Sequence, residues 1–155
     1  MKKLKTSLFI FLLLTSANAV AECEPISKDD MTLSFEVDTL FVRKDEKILK
    51  SLSLEETAGE CSKMEFIDGA KLAAITFDGK AAGTSTIVTD KFYGIFNLET
   101  GDWTVKPFPI ETKIIATNGK PETRKLIEVT VQKKKSKTVL SKKDLTTKKT
   151  EELPL

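Results

Sequence analysis

A chain of 155 residues that is 40% apolar is long enough for one domain with a real core. It contains no histidine, which removes the commonest general base and the Ser-His and Cys-His nucleophile pairs, and leaves a structural zinc site short of ligands. The net charge of +2 conceals three regions: residues 1–21 hold three Lys and no acid, residues 22–132 hold 14 Lys plus Arg against 20 Asp plus Glu, and residues 133–155 hold eight Lys against three acids.

The chain opens with the cationic stretch Met1-Lys2-Lys3-Leu4-Lys5. An apolar run from Leu8 to Leu14 follows, then the small and polar residues Thr15 to Ala19. This order is that of a secretory signal peptide, read here as residues 1–21. The run is shorter than the roughly 20 residues that a spanning helix needs. Two cleavage registers fit, Ala17-Asn18-Ala19 and Ala19-Val20-Ala21, and the second leaves Glu22-Cys23 at the mature start. The expected location is therefore outside the cytoplasm, in the periplasm or secreted. In that setting the only two cysteines, Cys23 and Cys61, are expected to form a disulfide.

From Met31 apolar and polar residues alternate, and the run becomes apolar on both faces at Leu40-Phe41-Val42, which predicts a strand over Met31 to Val42. Arg43 to Lys47 reads as a charged turn and Ile48 to Leu54 as the returning arm. Ser53 and Glu56 have capping-box spacing, so a single helical turn is expected near residues 54–62, cut short at Gly59. Beyond it, Asp68-Gly69, Asp78-Gly79, Thr100-Gly101-Asp102 and Asn118-Gly119 punctuate short runs rich in Val, Ile, Thr and Phe. Residues 110–117 and 125–132 are predicted to pair across the Asn-Gly turn. About eight short strands result, and the fold expected for residues 22–132 is one small antiparallel β-sandwich or β-barrel. Residues 133–155 carry few apolar side chains and no aromatic one, so they read as a flexible Lys/Thr-rich tail.

The stretch Phe92 to Phe108 (FYGIFNLETGDWTVKPF) holds the only Trp, the only Tyr and three of the nine Phe. As a strand, Phe92, Gly94 and Phe96 face one way and Tyr93 and Ile95 the other, so it is apolar on both sides. A half-solvated antiparallel strand is polar on one side. Either the domain covers both faces, or one face is an aromatic patch kept for a partner, made by Tyr93, Phe96, Trp103 and Phe108.

No Gly-rich phosphate loop, metal-ligand spacing or catalytic motif occurs, so neither catalysis nor a cofactor nor a metal is expected. The adjacent acids Asp29-Asp30 and Glu55-Glu56 read as solvated surface. The functional expectation is a non-enzymatic exported binding protein, of the inhibitor or immunity type, that takes a protein partner of the cell envelope on the aromatic patch. Two alternatives stand beside it. One is a subunit of an envelope or surface assembly joined through a strand edge. The other is a binder of an anionic envelope polymer through Lys133, Lys134, Lys135 and Lys137. Nucleic acid is disfavoured, because the tail has nothing to stack on bases.

Overall fold

The computed structural model describes residues 23–155, apart from 55–57, 70, 84, 85, 117 and 118. The expected signal peptide and the middle of the expected helical turn lie outside the described residues. The described residues form twelve strands in three antiparallel sheets. The first sheet runs β1 (Ile26–Lys28), β2 (Met31–Glu36), β3 (Thr39–Lys44) and β4 (Lys47–Ser53) in that order. The second runs β5 (Ala58–Asp68), β6 (Leu72–Gly79), β7 (Thr86–Asn97), β8 (Asp102–Ala116) and β9 (Glu122–Lys125). The third runs β10 (Ile127–Lys134), β11 (Lys137–Asp144) and β12 (Thr150–Pro154). Among them no helix is long and apolar enough to cross a membrane.

The second sheet is the middle layer. Along β6, Ala73, Ile75 and Phe77 point into a core shared with Leu33, Phe35, Leu40 and Val42 of the first sheet. Leu72 and Ala74 point the other way, into a core shared with Leu140 and the half-buried Val129, Val131, Leu153 and Leu155 of the third. This period-2 split places two separate cores on the two faces of one sheet. A ring stack, Phe35 to Phe77 at 6.3 Å and Phe77 to Phe92 at 5.6 Å, runs through the first core.

The expected disulfide is present: Cys23 is bonded to Cys61, 38 residues away. It ties the segment before β1 to the edge strand β5. The expected antiparallel β fold is likewise present, with more strands than the eight foreseen. The single strand foreseen over Met31–Val42 is a hairpin, because the chain reverses at Val37-Asp38 and pairs Glu36 with Thr39. The reversal puts Phe35 opposite Leu40 and Leu33 opposite Val42, so both arms bury the same face. Val37 holds φ at 55° and is 79% exposed, a conformation that β-branched residues rarely take.

Two expectations are corrected. The helical turn near residues 54–62 is not formed where it can be followed: Ala58 onward is β5, paired with β6. Residues 133–155 are not a flexible tail. They complete β10 and supply β11 and β12, with Leu140 fully buried and Thr138 buried beside it. Judged alone the segment has too little apolar surface to order itself. The body supplies the missing surface, since Leu140, Leu153 and Leu155 pack on the second face of the middle sheet. At the β11–β12 turn the Asp144 carboxylate accepts from the backbone N–H groups of Thr146 and Thr147, both at 2.8 Å. Those bonds hold its pKa below the ordinary carboxylate value.

Candidate functional site

The aromatic stretch resolves into two cores. On β7, Phe92 and Phe96 belong to the first core, and Tyr93 and Ile95 to the second. Phe96 is 1% exposed and meets the Trp103 ring edge-on at 5.4 Å. Tyr93 is 8% exposed and lies 6.0 Å from the Phe108 ring. Phe108 in turn is covered by the Lys142 ammonium of β11, 4.1 Å from its centroid. The four candidate residues Tyr93, Phe96, Trp103 and Phe108 thus sit on opposite sides of the sheet and form no common surface. Gly94 faces Trp103: a Cβ there would come within 2.7 Å of the indole ring, so the missing side chain is what lets Trp103 lie against the strand. Burial raises the Tyr93 phenol to about 12, with the Glu65 carboxylate adding to the shift.

The site that remains open is the far end of this same face. β7 pairs with β6 without a break from Asn97 to Lys91, so Lys91 and Thr89 continue the side occupied by Ile95 and Tyr93. The third sheet covers Tyr93 and Ile95 and stops short of Lys91 and Thr89. The bare end is a half-open cleft of about 680 Å³ lined by β5 to β9, from Gly59 and Glu60 across to Thr123.

Its floor is ordered by strand register. Asp78 pairs with Lys91, Lys91 with Glu111, and Glu111 with Lys125, a row of alternating charge across four strands whose last member lies outside the cleft lining. The next row is Thr89, Lys113 and Thr123, followed by Ile87 opposite Ile115. Opposite charges placed directly across strands stabilise a sheet modestly. Lys91 lies 3.9 Å from Asp78, and Lys80 on the rim lies 3.6 Å from Asp38 of the β2–β3 turn. The arrangement offers both donors and acceptors at fixed intervals, with Ile115 at one end. Among the described residues no three acidic or cysteine side chains converge as a metal site.

No protein-family model, curated protein or solved structure matches this chain. The cleft is the residue-level finding that the sequence analysis missed. Its signal was the change along one face of β7, from Ile95 and Tyr93 to Lys91 and Thr89.

Proposed function

We propose that the chain is an exported, non-enzymatic binding protein that seats a protein partner of the cell envelope in the charged cleft of the middle sheet, as an inhibitor or immunity-type protein. The observation that carries this reading is the row Asp78, Lys91 and Glu111 beside Lys113, in a cleft of about 680 Å³, with Lys125 continuing the row outside the lining. Alternating fixed charges suit a polar surface with the opposite alternation, and such complementarity governs specificity and association rate. The half-open shape fits a protruding protein segment better than a small ligand, which is ordinarily enclosed over most of its surface. The histidine-free sequence favours binding over catalysis.

The test uses the mature chain to capture its partner from an envelope extract, followed by titration of that purified partner. Reversing two floor charges together, Glu111→Lys with Lys113→Glu, should weaken binding about tenfold or more, with the thermal transition within a few degrees of the parent. Unchanged affinity in the folded double variant would end the proposal. Substitutions of Tyr93 or Trp103 do not serve here, since they change the cores rather than the cleft.

A further inference from the structure

The β10–β11 hairpin turns through Lys135 and Ser136, with Lys134 directly opposite Lys137 and Lys133 opposite Thr138. All four lysines are exposed. Lys134 reaches the Glu152 carboxylate at 2.5 Å. Among the described residues no carboxylate pairs with Lys133, Lys135 or Lys137.

The tip works against its own fold twice. Like charges directly opposite each other destabilise an antiparallel pair. Lys135 also holds φ at 56°, in the left-handed region where Gly or Asn sits more easily. Other two-residue turns with positive φ carry acids, Asp29-Asp30 and Asp45-Glu46, so a basic turn is not what this fold requires. The base of the hairpin is nonetheless firm, because Thr138 and Leu140 are buried just beyond it. Glu152 compensates Lys134, but Lys135 and Lys137 break local rules with no compensating contact among the described residues, the pattern of positions kept for function.

We propose that this tip docks the protein onto a phosphate-bearing anionic surface, the headgroup layer of a membrane. A convex hairpin end can turn several ammonium groups toward a plane of charge at once, whereas a single ion would have no walls around it. The rest of the molecule supports the orientation. Residues 22–132 carry six more acids than bases, so an anionic surface repels the body and attracts the tip. A mature chain close to neutral overall thus approaches tip first, and the attraction acts within a Debye length of the headgroups, about 8 Å at physiological salt.

The experiment is co-sedimentation of the disulfide-bonded mature chain with vesicles of about 30% phosphatidylglycerol in phosphatidylcholine, and with pure phosphatidylcholine. Binding to the anionic vesicles alone, lost at about 0.5 M salt, is expected. Each lysine near such a surface contributes about fivefold to partitioning, so Lys133→Gln, Lys135→Gln and Lys137→Gln together should weaken it about a hundredfold. The same variant should melt no lower than the parent, because the opposed charges are gone; Lys→Arg at the same three positions should retain binding. Equal sedimentation of the folded Gln variant, or no sedimentation of the parent, would overturn the proposal. Displacement by about 10 mM inorganic phosphate well beyond that of chloride at matched ionic strength would point to a discrete phosphate site and overturn it as well.

Discussion

A chain ended at Gln132 is expected not to reach the native state. It would lose β11, the central strand of the third sheet, and β12 with it. β10 would then have no partner in its sheet, and Leu72, Ala74, Tyr93 and Ile95 would lose the cover of Leu140, Leu153 and Leu155. Each large apolar side chain returned to water forfeits roughly 1.5–3 kcal/mol. Several of them together amount to roughly 5–10 kcal/mol, comparable with the whole stability of a domain this size. Far-ultraviolet circular dichroism and binding of a hydrophobic dye would report the loss. A truncated chain that melts like the parent would show that the segment is the loose tail its composition suggests. The milder Leu140→Ala should cost about 2–5 kcal/mol by itself, since that side chain is fully buried.

Removing the disulfide is the second large effect. Cys23→Ala should destabilise the native state by about 4 kcal/mol in the chain-entropy treatment of a loop closed across 38 residues. Cys61 lies 4% exposed in the first core, whereas Cys23 is only partly buried, so the Cys23 change is the cleaner probe of the cross-link. The thermal midpoint should fall by on the order of 10 °C. The parent under a strong thiol reductant should fall by a similar amount, and the variant should not respond. A variant as stable as the oxidised parent would show that packing of the first sheet on β5 suffices to hold the N-terminal segment.

Much of the fold was legible because it depends on period and pairing chemistry. The two-cysteine count led to the cross-link, and Asp68-Gly69 and Thr100-Gly101 lie at real reversals, with Gly69 at φ 58° and Gly101 at φ 70°. The two-faced apolar run was also legible, although its two readings could not be separated without knowing what covered the second face. Much of that cover comes from residues 137–155, whose apolar side chains are too sparse to announce a strand by themselves. Reversals made by unusual residues were hidden. Val37 at φ 55° is the last residue type that pattern reading assigns to a turn, whereas the charged run Arg43 to Lys47 was legible as one and turns at Asp45-Glu46 without a glycine. Asp78-Gly79 had the opposite fate: it carries the turn signature and closes strand β6, where a Cβ on Gly79 would run into the Phe92 ring.

Pairing partners were the harder part. Residues 110–117 were expected to pair with 125–132. In the structure Glu111 to Ile114 pair with β9, and Ile127 starts a different sheet. The switch occurs at Leu126, which donates its N–H to the Ile110 carbonyl and accepts from the Leu145 N–H, both at 2.9 Å. One residue thus joins two layers, and periodicity does not reveal it. Similarly β8 runs unbroken through Pro107 and Pro109 with shifted register against β7, so the strand foreseen over residues 110–117 begins well before it. The cleft follows from that length: the middle sheet extends past its cover, and the uncovered end is polar.

The chain covers both faces of β7 itself, which makes the aromatic stretch core and leaves only the charged end open. The single tyrosine tests it directly, since Tyr93 is the only phenol in the sequence. Its absorbance near 295 nm, followed against pH with circular dichroism on the same sample, should show ionisation at about 12, two units above the ordinary phenol. Because the folded value is raised, the neutral phenol's contribution to stability is fully present below pH 10 and is lost as pH rises from 10 through 12. Ionisation near pH 10 in a chain that keeps its native circular dichroism would mean that Tyr93 is open to solvent, and would contradict the account.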